Sequence, residues 1–427
     1  MFHNVFSLEN EPRVSIIFAP ERSGKAKCVV ESQPLPAVGA ECSNESMSRV
    51  VLAMSGGVDS SVAAWLLREQ GHDVIGVFMR HGQQTEESCP TDGLPFRKQG
   101  CCTAADAADA RRVADMLDVP FYAVNFQQEF DRIVDYFVAE YTAGRTPNPC
   151  IVCNTWLKFG RLFDYADSIG ADFVATGHYA RLVSMPGDEI ALCRGLDESK
   201  DQSYVLFGIK RPMLSRLMFP VGEYRKDEIR RIAERLGLRV AGKRDSQEIC
   251  FVPDQDHARF IRQRRGAIDT SGEIVTTDGT VVGRHDGFER FTIGQRKGLR
   301  VAFGEPRYVV RVESDTRRVV LGTHDELARR ELFAAEANWL VEEPGLGTSV
   351  PSEVVNQQST INNQQSSSPF RAQIKIRYRS RPSAATVELL PAGRFHVRFD
   401  EPCHAVAPGQ AAVCYDGERV LGGGWIE

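Results

Sequence analysis

With 427 residues, 42% of them hydrophobic and 26% charged, the chain can build two or three domains with their own cores; disordered and collagen-like classes are excluded. No run approaches the roughly 18 apolar residues of a membrane span, and residues 1–46 have neither a signal-peptide core nor the acid-poor composition of a transit peptide, so a cytoplasmic protein is expected. At a net charge of −5, a nucleic-acid partner would have to be met by local basic patches, and eleven cysteines without an export signal read as reactive or metal-binding thiols, not a disulfide framework.

Residues 1–46 mix polarities around Pro20, Pro34 and Pro36 without a sustained period. They are expected to be a weakly ordered extension or, since Met47 stands just before the first strand, a misassigned start. The organising stretch follows at 49–71, RVVLAMSGGVDSSVAAWLLREQG. Residues 50–54 form an apolar run suited to a buried strand, and 62–70 carry apolar residues at helical spacing. Between them, Gly56 and Gly57 let backbone approach a ligand, and the amides opening the next helix point at an anion. No G-x-x-x-x-G-K-[ST] is present, so amides and serine hydroxyls would hold a pyrophosphate, with Asp59 orienting Mg²⁺ or capping the helix. This loop resembles the SGGxDS loop of the PP-loop ATP pyrophosphatases. The competing reading is a plain glycine-rich turn with Asp59 and Ser60 as caps.

Strands are expected over 50–54, 74–79, 121–126 and 173–176, and helices over 61–70, 104–117, 130–141 and 156–169. Such alternation predicts a Rossmann-like α/β domain with a parallel sheet, whose ligands sit beyond the carboxyl ends of the strands. Met79, Asn125, Gly177 and His178 then share the rim with the glycine loop. A basic helix over 225–236 follows, and after about Ala258 the period changes. Short strands are expected within 272–283, 288–298, 307–313, 318–322, 371–378, 385–390 and 394–399, with closure into a small β-barrel as the natural solution. The expected division is 47–257 for the ATP-binding α/β domain, 258–326 for a small central β domain, and 327–427 for the barrel. Residues 351–369, rich in Gln, Asn and Ser, are read as a floppy loop between two barrel strands.

Within 146–154, TPNPCIVCN, the two prolines are expected to end the preceding helix and set Cys153 on a loop just before a helix starting at Thr155 or Trp156. The helix dipole there would favour its thiolate. A second candidate thiol, Cys250, lies in 245–251 with Lys243 and Arg244 upstream to favour an anion. Cys101, Cys102, Cys193 and Cys414 read as small buried apolar residues.

Together, AMSGGVDSS, GCCTAADAADARRVADMLDVPFYAVNF, GRTPNPCIVCN, ATGHYAR, KDQSYVLF, RDSQEICFV, FTIGQRKGL and KIRYRS resemble the tRNA-specific 2-thiouridylase family from residue 49 to the C-terminus. The resemblance implies an enzyme that adenylates O2 of the wobble uridine of tRNA with ATP and Mg²⁺, then replaces AMP by sulfur from a persulfide donor protein. It implies that Cys250 carries the persulfide and that Cys153 attacks it, leaving a Cys153–Cys250 disulfide. Ala53, Met54, Ser55, Gly56, Gly57, Val58, Asp59, Ser60, Met79 and Gly177 match the family's ATP contacts. Asn148, Pro149 and Cys150 match its target-base loop, and His178, Lys200, Asp201, Gln202, Arg377, Tyr378 and Gln410 its tRNA contacts. His178 reads equally well as a structural hydrogen-bonder at a strand end. A monomer without membrane attachment is expected.

Two basic runs agree with an RNA partner. Residues 259–265 and 371–381 contain no acid, and Lys375, Arg377, Arg379 and Arg381 alternate around Tyr378, which on a strand would place the cations on one face. One position departs from the resemblance: some relatives carry aspartate where this chain has Cys150. That creates Cys150-x-x-Cys153 plus Cys250, a set that could hold an iron–sulfur cluster. The rival readings are a PP-loop ligase acting on a small molecule and a non-catalytic sulfur carrier or RNA-binding adaptor.

Overall fold

A computed structural model describes residues 47–80, 103–245, 249–252, 256–266, 268–342, 344 and 368–427. The expectations for residues 1–46, for Cys101 and Cys102, and for all but the end of the 351–369 loop lie outside the described residues. The first sheet is built around β1 (Arg49–Ala53). Its neighbours are β2 (Asp73–Arg80) and β4 (Phe173–Thr176), with β3 (Phe121–Asn125) and the short β7 (Leu217–Met218) at the edges, in the order β3-β2-β1-β4-β7. All four pairings are parallel.

Burial on both faces explains why β1 reads as an unbroken apolar run. Val50 and Leu52 pack with α1 (Val58–Glu69), α2 (Ala104–Met116) and α6 (Lys226–Arg235). Val51 and Ala53 pack on the opposite side with Phe159, Leu162 and Phe163. Thr103 opens α2 with a reciprocal capping box to Asp106. After β3 come α3 (Gln127–Thr142) and α4 (Pro149–Val152), the latter running into a π-helix, Cys153–Arg161, and α5 (Leu162–Ser168).

A hairpin of β5 (Ala180–Met185) and β6 (Glu189–Arg194) follows β4 and joins the C-terminal sheet through Arg419 and Cys193. Beyond α7 (His257–Arg265), the central region is a four-stranded sheet of β8 (Gly272–Thr276), β9 (Val281–His285), β10 (Tyr308–Glu313) and β11 (Arg318–Gly322), in the order β10-β11-β8-β9. The last six strands are β12 (Ala328–Trp339), β13 (Phe370–Lys375), β14 (Ser383–Leu390), β15 (Arg394–His404), β16 (Ala411–Asp416) and β17 (Arg419–Ile426). Pairing of β12 with both β15 and β17 closes them into a barrel, which removes the exposed edges of an open sheet.

Two expected strands are corrected. Residues 288–298 form a single 3₁₀ turn, Phe288–Arg290, and then irregular chain through Gly294 and Gly298, whose φ values of +86° and +76° are incompatible with a strand. The strand expected to run to residue 378 stops at Lys375. The Arg377 amide donates to Ser380 Oγ, and the Ser380 amide returns to the Arg377 carbonyl, so the chain turns and the four cations do not alternate along one strand.

Candidate active site

The loop from Ser55 to Ser61 lies between the end of β1 and the first turn of α1. Gly56 adopts φ +70°, and a Cβ there would lie 2.2 Å from the Asp106 carbonyl oxygen, so only glycine lets α2 close on the loop. From the other side Gly177, just past β4, presses against α1; a Cβ on it would meet the Ser60 amide nitrogen at 2.8 Å. Ser60 Oγ accepts from the Ser55 amide at 3.2 Å, and Ser61 Oγ donates to the Gly57 carbonyl at 2.8 Å. No side chain caps the start of α1. The expected capping role of Asp59 is therefore corrected: its carboxylate accepts from Lys226 Nζ at 2.7 and 2.8 Å and from the Tyr179 hydroxyl at 2.7 Å. Burial first, then the Asp59 charge, drives the Tyr179 phenol well above its ordinary range.

This loop forms one wall of a cavity of about 1080 Å³. Of the expected nucleotide contacts, Ala53, Met54, Ser55, Gly57, Val58, Asp59, Ser60, Met79 and Gly177 line it, whereas Gly56 turns into the packing against α2. Of the expected tRNA contacts, Asn148, Cys150, His178, Lys200, Asp201, Gln202, Arg377, Tyr378 and Gln410 line it, and Pro149 is buried beneath. Arg379 and Arg381 reach the same cavity from the barrel, and Lys158 and Arg244 from the α/β domain.

Several of these side chains already have partners inside the protein. Lys200 donates to Asp245 at 2.7 Å, Asp201 accepts from the Gly195 and Ser203 amides at 3.2 and 3.0 Å, and Gln202 accepts from the Tyr179 amide at 3.0 Å. Arg377 donates to the carbonyls of Ile293 at 2.7 Å and Ala405 at 3.1 Å, linking the central region to the barrel. His178 is buried, with Nδ1 2.7 Å from Thr176 Oγ1 and Nε2 3.4 Å from Lys158 Nζ. Lysine can only donate, so Nε2 accepts and Nδ1 carries the proton. Burial, and then the Lys158 charge, holds the ring well below the usual imidazole range and therefore neutral at pH 7.

Cys153 is not on a loop before a helix. Pro149 starts the helix with Asn148 as its cap, accepting from the Cys150 amide at 3.2 Å, which is the favoured place for proline at a first helical position. Cys153 accordingly opens the π-helical turn. Cys153 and Cys250 do not line the cavity; both are half-buried against one apolar cluster that includes Phe130, Phe137, Val152 and Phe251, and that Met79 and Ile249 also flank. Among the described residues no three His, Cys, Asp or Glu side chains group as a metal site, so Cys150, Cys153 and Cys250 are not assembled as a cluster ligand set. The Lys243 ammonium donates to the Gly56 carbonyl at 2.8 Å, Asp106 at 2.6 Å and Asp109 at 3.0 Å. Cys193 and Cys414 are buried, as expected.

Residues 48–254 match a family described as the tRNA methyl transferase HUP domain, 258–323 its PRC-barrel domain, and 329–426 the aminomethyltransferase beta-barrel domain. A tRNA-specific 2-thiouridylase MnmA of Rhodopirellula baltica is 54% identical over 405 residues, covering 89% of this chain and 96% of the relative. The chain belongs to the tRNA-specific 2-thiouridylase family. A protein of the same name in Geobacter metallireducens is 47% identical, covering 90% and 98%, and a tRNA-specific 2-thiouridylase MnmA 1 of Clostridium botulinum is 43% identical, covering 89% and 99%.

In this member of the thiouridylase family, the charged frame around the glycine loop is what sequence reasoning missed. Lys226 and Asp245 lie 167 and 186 residues beyond Asp59, and no local pattern joins them. Within the basic run at 259–265, Arg262 and Arg265 face the buried Glu289, and Arg264 pairs with Asp131 and Asp135. Among the described residues no helix is long and apolar enough to cross a membrane.

Proposed function

We propose that the chain is an ATP-dependent tRNA uridine 2-sulfurtransferase acting on the wobble uridine in the cytoplasm as a monomer, with domains at 47–257, 258–326 and 327–427. The observation that carries this reading is the shared cavity: the serine-rich glycine loop, the Asn148–Cys150 segment and Arg379 and Arg381 of the barrel all face one space large enough for a nucleotide beside a flipped base. The ATP phosphates would lie over Ser55–Ser60 at the start of α1. Mg²⁺ held by those phosphates would neutralise charge on the departing pyrophosphate; Asp59 does not fit as its protein ligand while Lys226 and the Tyr179 hydroxyl occupy both carboxylate oxygens.

Chemically, uridine O2 attacks the α-phosphate, forming the O2–P bond and expelling pyrophosphate. Cys250, loaded by a persulfide donor protein, holds the outer sulfur. Cys153 thiolate attacks Cys250 Sγ; the Cys153–Cys250 bond forms, the outer sulfur leaves as hydrosulfide and adds to C2, and the C2–O2 bond breaks with AMP as leaving group. A thiol reductant then restores both cysteines. Their common seat on one apolar cluster supports this pairing.

The test is thiolation of unmodified tRNA with ATP, Mg²⁺ and a persulfide source, comparing wild type with Cys153→Ser and Cys250→Ser. The expected result is 2-thiouridine at the wobble position from wild type only. Pyrophosphate release on a small molecule without tRNA, with Cys153→Ser fully active, would replace this reading with a small-molecule ligase.

A further inference from the structure

The glycine loop contains no lysine, yet an ATP triphosphate needs positive charge as well as amides. Two ammonium groups lie at the loop. Lys243 sits in a charge-balanced group: it and Arg112 face Asp106 and Asp109, and the Gly56 carbonyl takes its third donor. Lys226 is different. It is the first residue of α6, its side chain is only 9% exposed, and its Nζ donates to both oxygens of Asp59 at 2.7 and 2.8 Å and lies 2.8 Å from Asp245. Both of its anchors are themselves fixed: Asp59 by the Tyr179 hydroxyl, and Asp245 by Lys200 at 2.7 Å and Arg230 at 2.9 Å. The Tyr179 ring lies 5.6 Å beneath the ammonium.

Two carboxylates therefore face three cations, and the surplus is positive. Burial is opposed by the Lys200 and Lys226 hydrogen bonds, which hold Asp245 below the usual carboxylate range, so Asp245 stays ionised beside Lys226. Lys226 also lines the cavity beside Ser55, Gly57 and Ser60. We infer that Lys226 is the positioning cation of the nucleotide's terminal phosphates, supplied from α6 in place of the lysine that the loop lacks. This rests on the nucleotide-binding reading above.

The test measures dissociation constants of ATP, inorganic pyrophosphate and AMP for wild type, Lys226→Gln and Lys226→Arg, with thermal unfolding of each. Lys226→Gln is expected to weaken ATP and pyrophosphate roughly ten- to hundredfold, the range of a charge-assisted hydrogen bond, while AMP changes less than about twofold. Lys226→Arg should recover part of the loss. A parallel loss for AMP would make Lys226 a structural clamp between α1 and α6, and unchanged ATP binding would remove it from the phosphate site; either overturns the inference. Should Lys226→Gln not fold, the ATP-to-AMP affinity ratio of Lys226→Arg decides, since a ratio equal to wild type also overturns it. Wild type that binds neither ATP nor pyrophosphate would instead overturn the nucleotide reading itself.

Discussion

The side-chain amide of Gln410 donates to the Thr146 carbonyl at 2.8 Å, while the Thr146 amide donates to the Pro408 carbonyl at 2.8 Å. The turn before β16 of the barrel thus grips the chain just ahead of Asn148 and Cys153, and Gly409 permits the approach: a Cβ there would lie 3.1 Å from the Thr146 amide nitrogen. Gln410 is accordingly a strut for the cysteine-bearing segment. Gln410→Ala is expected to cost about 1–2 kcal/mol by leaving a carbonyl without its donor, and to lower thiolation more than tRNA affinity. Denaturant unfolding and steady-state kinetics check this; unchanged stability would remove the strut.

His178 makes stability depend on pH. Its folded-state pKa is depressed by burial and Lys158, so the unfolded chain binds the proton more readily than the folded one. Above about pH 6.5 neither form is protonated and the term vanishes; below it, stability falls by up to about 1.4 kcal/mol per pH unit until the folded pKa is reached. His257 and His285 are depressed in the same direction by burial and add to the trend. His178→Asn should flatten the decline in melting temperature between pH 7 and 5.5. A slope identical to wild type would contradict the neutral, buried imidazole.

What could be read in advance followed from local rules. β1 and β4 announce themselves because the buried centre of a parallel sheet demands apolar runs, and the Gly56-Gly57 pair marks a close backbone approach. Pro149 was ambiguous in kind, because proline both ends one helix and starts the next. The arginines misled for a physical reason: charge density along the sequence is blind to acidic partners such as Glu289 or Asp400, which are brought up by tertiary folding. Arg377 lies in a basic run, yet it is half-buried and its guanidinium bonds two backbone carbonyls. The closing strand β12 carries no local signal of its partners, β15 and β17, which lie far along the chain.

Glu289 joins α7 to the central sheet. Its side chain is fully buried, accepts from Thr270 Oγ1 at 2.6 Å and from Arg262 at 3.4 Å, and faces Arg265, which is 4% exposed. Glu289→Gln keeps the shape and removes the charge, leaving Arg265 uncompensated, and is expected to cost about 3–5 kcal/mol. Arg264→Ala, which breaks only exposed pairs with Asp131 and Asp135, should cost at most about 1 kcal/mol. Urea unfolding of the two variants side by side measures the contrast, and equal losses would refute it.

Gly56 and Gly71 separate conformational strain from steric exclusion. Both have positive φ, +70° and +85°, so alanine at either is disfavoured by about 1–2 kcal/mol. At Gly71 a Cβ meets nothing within 4 Å, and Gly71→Ala should lower stability by that amount and leave activity intact. At Gly56 the Cβ would stand 2.2 Å from the Asp106 carbonyl oxygen and 2.8 Å from its carbonyl carbon, both backbone atoms that cannot rotate away. Relief requires the loop or α2 to shift, and the same Asp106 holds Lys243 against the Gly56 carbonyl. Gly56→Ala is therefore expected to reduce ATP-dependent thiolation at least about a hundredfold, since a displacement of about 1 Å at a reacting site costs that much. Assaying both variants at equal folded fraction decides the matter: comparable activity in the two would show that the loop tolerates the shift, and that its closeness to α2 is not what organises the phosphate site.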